Sequence, residues 1–139
     1  MRTIRAALAA ALLLTPPALA QAQAQAKAQS TARTEAVRAL RGAEDELRDT
    51  LRRMDEGSLP GSMAVSRLRQ AMNEVERAML TLPGEARQGA PWQTAVQQVS
   101  KAMATLREGG DPAAARAAAG EALGTLPALR GEETGSSGG

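Results

Sequence analysis

Three features of this chain predict an all-α fold. Long segments carry apolar residues at alternating steps of three and four. Short Gly- and Pro-bearing breaks separate them, and no stretch shows the period-two alternation a strand requires. Because short loops make consecutive helices neighbours, the architecture expected is a small antiparallel four-helix bundle, with two tandem helical hairpins as one way of building it. A cleaved signal peptide is expected to precede it.

The signal is read from the first twenty residues. Arg2 and Arg5 give a positive start, Ala6 to Leu14 an unbroken apolar run, and Ala18-Leu19-Ala20 a small-residue cleavage site. The apolar run stops at Thr15-Pro16-Pro17, well short of the roughly 20 residues a membrane span needs. No twin-arginine pair is present, and the chain has no cysteine for lipid attachment. The expectation is an exported protein, periplasmic by preference and secreted as the alternative, with no stable membrane insertion after signal cleavage. The boundaries implied are 1–20 signal peptide, 21–33 a Gln/Ala-rich lead-in that is mobile or weakly helical, 34–130 the bundle, and 131–139 a disordered Gly/Ser-rich tail.

Charge then argues against a polyanionic partner. The full chain has 17 Lys and Arg against 15 Asp and Glu, but Arg2 and Arg5 leave with the signal and every acid lies downstream. The mature chain is formally neutral, so no global field draws it onto nucleic acid. No disulfide is available in an oxidising compartment. There is no His, Phe or Tyr, and Trp92 is the only aromatic residue. Losing both His and Cys removes the usual zinc and haem ligands and most nucleophile–base pairs, so no cofactor is expected.

Taken in order, the first helix is expected over Thr34 to Met54, with Val37, Leu40, Leu47, Leu51 and Met54 on one face and Glu44 in the place that completes the 3-4 spacing. The second, Met63 to Leu82, has the most regular seam: Val65, Leu68, Met72, Val75, Met79 and Leu82. The third, Pro91 to Arg107, repeats it with Trp92, Val96, Val99, Met103 and Leu106. The fourth, Pro112 to Leu126, is Ala-rich, with Asp111 placed to cap it and Pro112 suited to its first turn. Ala115, Ala119, Ala122, Leu123 and Leu126 form a thin face that must approach its neighbours closely. Breaks fall at Gly57-Ser58-Leu59-Pro60-Gly61, at Pro83-Gly84 and at Gly109-Gly110, and Pro127 is expected to end the last helix.

An internal duplication is also readable. An offset of 44 aligns Thr81-Leu82-Pro83 with Thr125-Leu126-Pro127, and Ala78 with Ala122. An offset of 52 aligns Leu40, Leu47, Leu51 and Met54 with Trp92, Val99, Met103 and Leu106, and Glu56-Gly57 with Glu108-Gly109. Any two heptad helices match on apolar positions, so the turn matches carry the independent weight.

Four groups of residues merit a functional reading. Met54, Met72, Met79 and Met103 carry thioethers that bind Cu(I), but methionine also fills aromatic-poor cores, and core packing is the preferred role. Arg41, Arg48 and Arg52, in a stripe with Arg38, form the candidate partner-binding set, since guanidinium groups clamp carboxylates and phosphates. Asp45 and Asp49 interleave with them and Glu44 lies four before Arg48, so ordinary intrahelical pairs compete with that reading. Glu44-Asp45-Glu46 with Asp49 is the densest acidic cluster, yet consecutive helical side chains diverge by about 100°, which disfavours catalysis or a metal site. Trp92 either pins the third helix to the core or anchors a partner, and its heptad position favours the core.

These residues lead to the expectation of a non-catalytic helical interaction module that binds another protein. The alternative is a small-ligand or metal-binding bundle with a pocket beside the fourth helix. An enzyme comes third.

Overall fold

In the computed structural model, the backbone of residues 2–108 and 111–131 is described, with side chains from residue 18 onward. The order is α1 (Arg2–Asp55), α2 (Gly61–Leu80), a short 3-10 turn (Gly84–Ala86), α3 (Gly89–Arg107) and α4 (Pro112–Leu129). No strand occurs among the described residues, and the fold is the four-helix bundle expected. Two compact units are distinguished, Met1–Thr34 and Glu35–Gly139. In the first, the backbone is helical and every described side chain, 18–34, is exposed. That segment is rich in Ala and Gln, which favour helix but offer no apolar stripe to bury. The second unit holds the rest of α1 together with α2, α3 and α4. The side chains of the expected signal region before residue 18, the Gly109-Gly110 break and the tail beyond Gly131 lie outside the described residues.

The bundle is antiparallel throughout. Asp55 meets Arg116 and Glu44 meets Arg130, so α1 and α4 run in opposite directions. Arg69 donates to the carbonyl of Leu106 and Lys101 pairs with Glu121, contacts that tie α2 to α3 and α3 to α4, which short connections make antiparallel neighbours. Leu40, Leu47, Leu68, Met72, Leu106 and Leu126 are the largest apolar side chains fully removed from water. Full burial of such a side chain contributes roughly 1.5–3 kcal/mol relative to exposure.

Alanines widen each seam beyond the large residues. Ala36, Ala43, Ala64, Ala71, Ala78, Ala95 and Ala102 are all buried beside it, because a helix facing two neighbours needs a broader apolar stripe than an a/d line. On α3 this rotates the buried face. Ala95 and Ala102 lie inside, and Val96, expected in the core, is 38% exposed. Among α2, α3 and α4, the most extensive backbone approach is between α3 and α4. Ala115, Ala118, Ala119 and Ala122 make it possible, as the thin face of the fourth helix requires. Val37, Val65, Met54, Trp92 and Leu123 are partly buried rather than enclosed, and all but Val37 pack against the core cluster.

Helix ends follow local chemistry. Gly57 takes φ 70°, its N–H donates to the Met54 carbonyl (3.1 Å), and the Ser58 N–H donates to the Arg53 carbonyl (3.1 Å). That is a Schellman ending, which needs a left-handed residue where glycine has no Cβ penalty. Gly131, at φ 83°, follows α4, and its N–H donates to the Ala128 carbonyl (3.3 Å). Two expectations about α4 are corrected. Pro127 lies inside the helix, which runs on to Leu129, because a proline forfeits only one N–H bond and the buried Leu126 and Leu129 hold the last turn. Asp111 precedes α4, but its side chain makes no capping hydrogen bond; Pro112 in the first turn lacks an N–H that would need one.

Candidate functional site

Three of the concavities on the bundle bear on function. One is a groove of about 320 Å³ between α1 and α2. Ala39, Gly42, Ala43 and Ala78 form its floor, and Glu46, Glu74, Arg77 and Thr81 its rim. Small side chains at i, i+3 and i+4 on α1 produce it. A Cβ built on Gly42 would meet nothing within 4 Å, so nothing inside the chain requires glycine there. Next to it lies a polar cleft of about 300 Å³, where Glu46, Asp49 and Arg53 of α1 face Arg67 of α2. Thr50 at its base is buried, and its hydroxyl donates to the Glu46 carbonyl (2.9 Å), the usual i−4 satisfaction of a helical threonine.

A third pocket, also about 300 Å³, lies beside the start of α4, lined by Met54, Leu59, Ala64, Pro112 and Ala113, with Asp55 and Arg116 at its edge. The two charges form a bidentate pair, Nε to Oδ1 and Nη2 to Oδ2, both 2.7 Å. The guanidinium holds the Asp55 carboxyl below its ordinary 3.8, and the carboxylate raises Arg116 in turn. The sign of the pH effect follows. A depressed carboxyl contributes stability that is full above its unfolded pKa and is lost as pH falls through the lowered value. Asp55→Asn is therefore expected to lower the melting temperature at pH 7 and to match the parent once the solution is acid enough to protonate Asp55. A difference that persists unchanged to pH 2, read by circular dichroism, rules out this origin.

The candidate arginines are placed as follows. Arg41, Arg48 and Arg52 are all exposed on α1. Arg48 pairs with Asp45 (2.8 Å), while Arg52 pairs with Asp49 and with Glu56 (3.0 Å). Arg53 also reaches Asp49, at 2.9 Å. The Arg52 hydrogen bond is the main reason the Asp49 carboxyl is lowered. Exposed pairs of this kind contribute at most about 1 kcal/mol.

Glu44 does not pair with Arg48 as its spacing implied. It is 1% exposed, in the core seam, and its Oε2 lies 2.9 Å from Nε of Arg130, which follows α4. The Nε–H is not aligned for a hydrogen bond, so the attraction is Coulombic. Position and composition pointed to Glu44, but no local pattern pointed to Arg130. Also unforeseen was Arg69, whose Nη2 donates to the Leu106 carbonyl (2.9 Å) and so occupies an acceptor in the last turn of α3.

The remaining candidates fall into the core. Met72 and Met79 are buried on α2, Met103 is buried on α3, and Met54 is partly covered. Half-buried Trp92 packs against the same cluster. No group of three or more Asp, Glu, His or Cys able to hold a metal occurs among the described residues, and no helix among them is long and apolar enough to cross a membrane. Comparison of the chain with protein-family models, curated proteins and solved structures gave no match.

Proposed function

We propose that this chain is a non-catalytic interaction module that binds another protein along the groove between α1 and α2. The observation that carries the reading is Gly42. Glycine inside a helix costs about 1 kcal/mol relative to alanine. Here it stands on a groove floor where no part of the chain approaches it. Absence of a side chain at such a point lets a partner come close to the helix backbone. Arg41, Arg48 and Arg52 do not line this groove: at about 100° per residue they fall on the far side of α1 from Ala39, Gly42, Ala43 and Glu46, so they are left out of the proposed interface.

The test is in-cell crosslinking of the tagged chain, followed by the same capture with two variants. Gly42→Ala is expected to stabilise the fold by up to about 1 kcal/mol and to keep the captured partner. Gly42→Leu fills the groove and is expected to lose that partner while melting no lower than the parent. Equal capture by all three moves the interface elsewhere.

A second reading rests on the pocket beside α4, whose apolar lining and single charged pair resemble a small-ligand site in miniature. Saturable binding of a carboxylate-bearing apolar ligand that Arg116→Gln abolishes, with Gly42→Leu unaffected, favours it over the groove.

Export belongs to the same proposal, supported by Arg2, Arg5, the Ala6 to Leu14 run and the Ala18-Leu19-Ala20 site. Cleavage is expected after Ala20. Intact-mass measurement of material recovered outside the cytoplasm checks it, and retention of Arg2 overturns it.

A further inference from the structure

Along the part of α1 that belongs to the bundle, almost every charge is satisfied within the chain. Asp45 pairs with Arg48, Asp49 with Arg52 and Arg53, Glu56 with Arg52, Asp55 with Arg116, and Glu44 with Arg130. Arg38 and Glu46 are the exceptions between Ala36 and Glu56. Both are exposed, and neither side chain makes an ion pair or hydrogen bond among the described residues. They stand four residues to either side of Gly42, the exposed glycine of the α1–α2 groove. Four residues rise about 6 Å along a helix and turn about 40° past a full circle. The two charges therefore flank Gly42 on one outward face, the base a turn before it and the acid a turn after. Across the groove on α2, Glu74 and Arg77 pair with each other at 3.0 Å and add no net charge.

This pattern is self-complementary. When a second α1 crosses the first antiparallel with Gly42 at the centre, Arg38 of each copy faces Glu46 of the other, and the same ion pair forms twice about a twofold axis. A parallel crossing instead sets Arg38 against Arg38 and Glu46 against Glu46. We propose that the protein which docks at this groove is a second copy of this chain, α1 on α1, antiparallel and twofold across Gly42. The inference rests on the groove reading above and adds the identity of the partner. A Cβ on Gly42 would meet nothing inside the chain. A facing helix at about 8 Å, the short end of helix–helix distances, leaves no room there for a large side chain. Ala39, exposed on the same face, likewise offers no bulk to hold two helices apart. A foreign partner places no symmetry on this face, whereas a twofold contact requires opposite charges at equal distances from its axis.

Light scattering after size exclusion, over a hundredfold range of concentration, reads the mass of the purified chain. The parent is expected to move towards twice the mass of one chain as concentration rises. Arg38→Glu and Glu46→Arg each turn both ion pairs into like-charge contacts, and each is expected to weaken association roughly tenfold or more. Their melting temperatures are expected to match that of a single parent chain, because neither side chain has a partner inside the bundle. Mixed in equal amounts, the two variants are expected to regain the doubled mass, since the reversed charge of one meets the reversed charge of the other and the original pair re-forms beside it. If either reversal fails to fold, Arg38→Ala or Glu46→Ala replaces it and is expected to weaken association severalfold. A parent at the mass of one chain throughout overturns the proposal. If in-cell crosslinking then captures a different protein that Gly42→Leu loses, the groove reading stands without it. Variants that associate as tightly as the parent, or a mixture of the two reversals that stays at the mass of one chain, also overturn it.

Discussion

Arg130→Ala is expected to lower the unfolding free energy by about 3–5 kcal/mol, a large part of the 5–15 kcal/mol typical of a folded domain. The reason lies less in the attraction lost than in what remains. Glu44 is 1% exposed, on the same face of α1 as the buried Leu40 and Leu47, and without Arg130 its carboxylate stays in that seam having lost the guanidinium 2.9 Å away. Glu44→Leu combined with Arg130→Ala is therefore expected to recover most of the loss, because neither charge is then buried and leucine suits a heptad seam. Urea titrations of the parent, the single variant and the double variant, compared at constant slope, make the measurement. A single variant within 1 kcal/mol of the parent shows that water reaches Glu44. A double variant no better than the single shows that the charge was not the cause.

Met72→Ala and Met79→Ala are each expected to cost about 2–5 kcal/mol, because both side chains are enclosed and their removal leaves space that a packed bundle closes only in part. Met72→Leu/Met79→Leu should instead stay close to the parent, since volume is nearly conserved, with less than about 1.5 kcal/mol lost at each position. A copper site gives the opposite order, because leucine preserves the fold and removes the thioether. Thermal melts and Cu(I) titrations of the three proteins separate the cases. Tight Cu(I) binding by the parent, absent from a stable double-leucine variant, contradicts a purely structural role for these methionines.

The second helix is the most legible element because its evidence is local. Leu68, Met72, Val75, Met79 and Leu82 follow one 3-4 alternation and all five are buried. On α3 the same reasoning misplaces Val96, because Ala95 and Ala102 carry too little hydrophobicity to outweigh it in sequence. In the fold they decide the face, since only small side chains let α3 come so close to α4. Pro127 reads as a stop because sequence shows the missing N–H but not the burial of Leu129 beyond it.

The candidate site is less legible still. Arg48 and Arg52 were placed among intrahelical pairs, but Arg48 takes Asp45 because Glu44 is drawn inward to a residue near the other end of the chain. Ala39 and Gly42 give no positive signal at all. A groove is a deficit of side chain between two helices, and it appears only once the second helix is in place.

The alanine contact between α3 and α4 has an entropic consequence. Alanine has no rotamers to freeze, whereas an ordered methionine forfeits up to about 2 kcal/mol of side-chain freedom. Ala95, Ala102, Ala115, Ala118, Ala119 and Ala122 therefore become fixed at almost no side-chain entropy cost, while Met72 and Met79 on α2 must each be immobilised. The hairpin with the least apolar bulk gains cohesion from backbone proximity, and the half of the bundle that looks weakest by hydrophobicity surrenders the least disorder when it packs.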